Sequence, residues 1–110
     1  MIQDLIKEIN DKLARSHHLS AQEKQALFDL LQELNQQVDE LAETHSEQAT
    51  NITSFAKAST QAAVDEQKNQ AAVEESNQGL KASVQQFEVT HPKLVDTVNR
   101  LCVVLANLGI

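Results

Sequence analysis

The sequence predicts an all-α protein: a long antiparallel helical hairpin with short N- and C-terminal helices packed on its open end, like a coiled coil or four-helix bundle. Three observations predict it. Apolar residues recur every three or four positions, and strand-like alternation occurs nowhere. Two Gly and one Pro are too few for a fold rich in turns. The abundant residues, Ala, Gln, Glu, Leu, Lys, Asn and Val, are those of helical bundles. At 110 residues the chain has the size of one domain, spanning 1–110. Its 41% hydrophobic fraction overstates the core, because 13 of those residues are Ala.

The first helix is expected over 1–16. Ile2, Ile6, Ile9 and Leu13 form its stripe, and Leu5 widens it. The pattern fades at "RSHHLS". Then "SAQE" gives a strong start signal, with Ser20 at the N-cap and Glu23 at the third helical position: a capping box. Leu19 precedes it as a hydrophobic staple. The second helix, over 20–47, carries Leu27, Leu31, Leu34, Val38 and Leu41, with Phe28 and Leu30 broadening the face.

Between Ser20 and Gly79 there is no Gly or Pro. A single helix to Phe87 would be about 100 Å long. The heptad register from Leu27 continues to Ile52 and Phe55, but then meets Ser59, Glu66, Asn69 and Ser76, a poor seam. "ATNITS" combines three β-branched residues with Asn and Ser, so it is averse to helix. A hairpin with its tip near 48–54 is therefore favoured over one long helix. The return arm, a third helix over 55–88, is rich in small residues such as Ala62, Ala63, Ala71 and Ala72. Its larger apolar residues come late, at Val73, Leu80, Val84 and Phe87.

"THPKL" opens the fourth helix, over 92–108. Pro92 suits its first turn, Thr90 or His91 the cap, and Gly109 the C-terminal cap. Leu94, Val98, Leu101, Leu105 and Leu108 are spaced four, three, four, three. A membrane span needs about twenty mostly apolar residues. This segment is shorter and is interrupted by Lys93, Asp96, Asn99, Arg100 and Asn107, so it reads as a core helix.

Net charge is −7, and seven acids against the single base Lys24 lie between Glu23 and Glu47. An acidic surface repels phosphate, which argues against nucleic acid and against docking on anionic lipid. Cys102 lies in an apolar run and has no partner for a disulfide. "MIQDLIKEIN" has no signal-peptide pattern, so a cytoplasmic location is expected.

The chemistry-bearing residues form no recognisable constellation. His17 and His18 are adjacent, His45 lies near Glu43 and Glu47, and His91 precedes Pro92. No zinc-finger spacing and no H-E-x-x-H occurs. Asp39 with Glu40, Asp65 with Glu66, and Glu74 with Glu75 diverge around a helix and read as solvated faces. Glu-x-x-His, of which a di-iron bundle needs two, occurs only once, at Glu88 to His91. No catalytic, cofactor-binding or metal-binding residue is assigned, and no cofactor is expected.

Phe87, Glu88, His91, Pro92, Leu94, Leu105, Gly109 and Ile110, within "FEVTHPKLVDTVNRLCVVLANLGI", together with the front from Leu19 to Glu23, carry a resemblance. The chain resembles DUF4404, a family of small bacterial helical proteins of unknown function. The similarity spans roughly 1–42 and 78–110, and the Ala/Gln-rich middle has no match. The resemblance implies fold and a cytoplasmic setting, and no activity. The expected role is a non-enzymatic structural or protein-interaction module, homo-oligomeric with a dimer favoured. The alternatives are a phasin-like amphipathic coat on an apolar surface and a signalling coiled coil.

Overall fold

The capping box forms as the spacing requires. Ser20 Oγ accepts from the Glu23 amide at 3.1 Å, and Glu23 Oε1 accepts from the Ser20 amide at 2.9 Å. This pair starts α2 (Ala21–Ala42), the longest of five α-helices in the computed structural model, which describes residues 2–65, 67 and 69–108. The others are α1 (Gln3–Arg15), α3 (Ser46–Val64), α4 (Gln70–Val84) and α5 (Pro92–Leu108), with a 3-10 turn Gln85–Phe87 after α4. No strand occurs among the described residues. Gly109, expected as a cap, and Glu66, of the pair with Asp65, lie outside them.

Helices α2, α3, α4 and α5 pack in a ring, each on the next, and α5 closes the ring against α2. α3 and α5 also touch across the middle, whereas α2 and α4 do not. The 22-residue α2 accounts for most of the 39 Å long axis. A radius of gyration of 13.0 Å is that of an ordinary globular chain of this length. The core is continuous: Leu27, Leu31, Leu34, Val38, Ile52, Val73, Leu80, Leu101 and Leu105 are fully buried. Leu94, Val98 and Leu108 join them, so the apolar C-terminal segment is a full member of the bundle.

α1 lies outside the ring, on α2 and α3. Its stripe of Leu5, Ile6, Ile9 and Leu13 is buried. The Ile2 amide donates to Asn35 Oδ1 at 3.1 Å, which fixes its start beside the middle of α2. Gln61 of α3 reaches Glu8 on its outer face.

Three expectations are corrected. The second helix stops at Ala42 instead of reaching 47, because Thr44 and His45 both turn their amides back onto the Leu41 carbonyl, at 3.1 and 2.8 Å. The hairpin tip is therefore at 43–45, and the window 48–54 is helix. Thr50 and Thr53 return their hydroxyls to the carbonyls of Ser46 and Ala49, and Ile52 between them is buried, so packing overrides local propensity. Nor is 55–88 one helix. The chain turns again between the end of α3 and the start of α4, where Asp65 Oδ1 accepts from the Gln67 amide and Asn69 Oδ1 caps α4 through the Ala72 amide, each at 3.1 Å.

These two turns replace the long hairpin, and the single long helix, by four helices that fold back on one another. The terminal helices accordingly do not cover an open end: α1 packs on α2 and α3, and α5 packs on α2, α3 and α4. No described residue has positive φ. At the reversals Asp65 is extended, and His45 (φ −136°, ψ 61°) and Asn69 (φ −125°, ψ 84°) keep negative φ, so neither reversal needs a glycine.

Candidate functional site

The sequence places "TH" twice, at 44–45 and at 90–91, each time immediately before a helix. Folding brings the two dipeptides to the same end of the bundle. Here α2 hands over to α3, and the 3-10 turn hands over to α5. His45 is the residue before α3, with its carbonyl accepting from the Ala49 amide at 2.9 Å. His91 holds the same position before α5, its carbonyl accepting from Val95 at 3.3 Å.

Phe87 stands between the two histidines. Its ring is buried and meets both imidazoles edge to face, with centres 5.3 Å from His45 and 5.4 Å from His91. The imidazole centres are 6.4 Å apart at an interplanar angle of 81°. Such perpendicular contacts set the positive ring edge against a negative face. Each His Nδ1 is engaged by the hydroxyl of the preceding threonine, at 2.8 Å for Thr44 and 3.0 Å for Thr90. Both histidines are half-buried, and Glu43, Glu47 and Glu88 are exposed around them.

The connection from Phe87 to His91 is held tightly. The His91 amide donates to the Phe87 carbonyl at 2.7 Å, and the Glu88 amide donates to Gln85 at 3.2 Å. Phe87 anchors the start of this turn in the core, and Pro92 stiffens its exit. At its crest Val89 is 91% exposed, more than any other large hydrophobic side chain described. A groove between α4 and α5 lies beside it, lined by Gln78, Lys81, Ala82, Gln85, Glu88, Val95 and Asn99.

The other residues singled out in the sequence fall elsewhere. His17 and His18 are exposed before α2, and His18 Nδ1 meets Ser16 Oγ at 3.1 Å. The carboxylates of Asp39, Glu40, Asp65, Glu74 and Glu75 are exposed. Cys102 is buried between α4 and α5: its carbonyl accepts from Asn77 Nδ2 at 3.1 Å, and its thiol faces the Asn77 carbonyl at 3.9 Å. Burial pushes the thiol pKa up to about 11, against a smaller opposing pull from Lys81. Among the described residues no three His, Cys, Asp or Glu side chains converge as a metal cage, and no helix is long and apolar enough to cross a membrane.

A tip at 48–54, as the sequence predicts, puts His45 inside a helix and so hides its pairing with His91. The repeated dipeptide was the available signal. A family model described as a domain of unknown function, DUF4404, matches residues 27–110. The match runs through the Ala/Gln-rich middle, which the sequence resemblance left out, and it stops short of the capping box at its front. No curated protein and no solved structure matches the chain.

Proposed function

The chain belongs to the DUF4404 family, and from that premise we propose that it is a non-enzymatic helical interaction module that associates with itself, with a dimer as the favoured state. The observation that carries this reading is Val89. Single exposed apolar side chains are ordinary on protein surfaces. This one is held out by a turn anchored through Phe87 and stiffened by Pro92, so little conformational freedom is lost when it docks.

The groove beside it supplies the complement. Ala82 and Val95 give it apolar lining, and Gln78, Gln85 and Asn99, with Lys81 and Glu88, give it polar and charged walls. A knob and a groove side by side on one surface suit a two-fold interface, in which each subunit inserts Val89 into the other. A cytoplasmic setting accords with the free buried thiol of Cys102. A coat protein or a signalling coiled coil would need the apolar stripe of the middle segment on its outside, whereas Ala49, Ile52, Ala56, Ala63 and Val73 are buried.

Sedimentation equilibrium tests the proposal. The mass is expected to rise above the 12.2 kDa of one chain with increasing concentration. Val89→Asp, which removes the knob, and Ala82→Glu, which fills the groove, should each return it to one chain with unchanged helix content. A wild-type mass that stays at one chain across a wide concentration range overturns the reading.

A further inference from the structure

We propose that the groove between α4 and α5 receives the same groove of a second copy in an antiparallel two-fold arrangement, with Val89 of each chain landing on Val103 of the other. This rests on the reading of Val89 as a docking residue and adds where that residue lands.

The exposed face runs on past the groove. Val95 and Asn99 line it, four residues apart on α5, and Val103 stands one turn further along the same side. Val103 is 59% exposed, second only to Val89 among the large apolar side chains described. The two stand at opposite ends of this face, since about 17 Å of helix separates the start of α5 from Val103.

The register of α4 on α5 is fixed by Asn77. Its Nδ2 donates to the Cys102 carbonyl at 3.1 Å, and the short connection through Phe87 and His91 makes the two helices antiparallel. Each step up α4 is therefore a step down α5, which sets Ala82 and Val95 at mid-height between Val89 and Val103. A two-fold axis through that point, perpendicular to the helices, exchanges the two ends of the face. It brings Val89 onto Val103, Glu88 onto Gln78, and Lys81 onto Gln85. Each charged group then meets an amide of the other chain: Gln78 donates to the Glu88 carboxylate, and the Lys81 ammonium donates to the Gln85 side-chain oxygen. Small Ala82 at the axis lets the chains approach closely, and Asp96 at the outer edge is already paired with Arg100 at 3.1 Å. A parallel two-fold would bring equal heights together, setting Lys81 on Lys81 and Glu88 on Glu88, and like charges facing across an interface disfavour it. The charges thus select the antiparallel arrangement.

Disulfide trapping of the full chain tests the arrangement. Val89→Cys and Val103→Cys are each made in a Cys102→Ala background, where no other thiol is present. Mild oxidation of an equimolar mixture should yield a covalent dimer of one variant with the other, in at least tenfold excess over the dimer from either variant alone. Val103→Asp in the otherwise native chain should weaken self-association at least tenfold in sedimentation equilibrium, with unchanged helix content. A wild-type chain that self-associates while the mixture traps no more than the single variants, or while Val103→Asp has no effect, overturns this arrangement and leaves Val89 as a docking residue. A wild-type mass that stays at one chain overturns both.

Discussion

The ring of Phe55 on α3 rests directly on the backbone of Gly79 on α4. A methyl group built at Gly79 would stand 2.6 Å from Phe55 Cδ1 and closer still to Cε1, inside any real contact distance. The same two helices form the most extensive packing in the molecule, and α3 buries Ala49, Ala56 and Ala63 along its length. Small residues thus let this seam close, and the one large aromatic on its edge needs the missing side chain at Gly79.

Gly79→Ala should therefore give opposite results in two backgrounds. Alanine in a helix interior is worth about 1 kcal/mol over glycine. In the native chain that gain is offset because Phe55, 39% exposed, must leave its place. The substitution should then be neutral or destabilising. In a Phe55→Ala background it should stabilise by about 1 kcal/mol. Urea denaturation of the four proteins measures the coupling, and additive effects would show that the two residues do not compete for space.

The sequence displays the apolar stripes plainly, and each buried stripe of α1, α2 and α5 was legible from periodicity. The capping box was legible because Ser20 and Glu23 satisfy each other locally. The turns were not. Gly, Pro and β-branched runs do not mark them, because this chain reverses at Thr44 with His45, and between Asp65 and Asn69, through side-chain hydrogen bonds to nearby backbone. Asn69 three residues before Ala72 was a readable cap signal. Ala49, Ala56 and Ala63, seven apart, were a readable small-residue seam. The histidine pair depends on both turns together, so it could emerge only once the first was placed at 43–45.

Ser59 offers a stabilising change. It is fully buried, and its hydroxyl has no hydrogen-bond partner among the described residues. An unpaired buried hydroxyl costs roughly 1–3 kcal/mol, while deletion of one oxygen leaves little void. Ser59→Ala should raise stability by about 1 kcal/mol, and better helix propensity adds to the gain. A loss of stability on chemical denaturation would show that the hydroxyl has a partner after all.

Leu101 lies at the centre of α5 with no exposed surface. Leu101→Ala should cost about 2–5 kcal/mol, and Leu101→Asp should unfold the chain, since a buried unpaired carboxylate exceeds what a small domain can absorb. Asn99→Ala, at an exposed position of the same helix, should change stability by less than about 0.5 kcal/mol. Equal effects at the two positions would mean that the helix does not present Leu101 to the core.

Cys102 makes stability fall in alkali. Burial raises its thiol from 9.0 to about 11, with Lys81 opposing weakly. The folded chain therefore holds this proton more tightly than the unfolded chain does. The associated stability is fully present below pH 9 and is lost as pH rises through about 11, because the unfolded thiol ionises first. The interval corresponds to about 3 kcal/mol. Other groups also titrate in this range, so the measurement is the stability difference between the native chain and Cys102→Ala, followed from pH 8 to pH 11. The native chain should lose ground steadily against the variant as pH rises. Its thiol should also react slowly with a thiol reagent in buffer and quickly in denaturant, since the thiolate is the reactive form and burial suppresses it. A stability difference independent of pH, together with immediate native labelling, would place Cys102 at an accessible surface and would contradict the closure of α5 against α4.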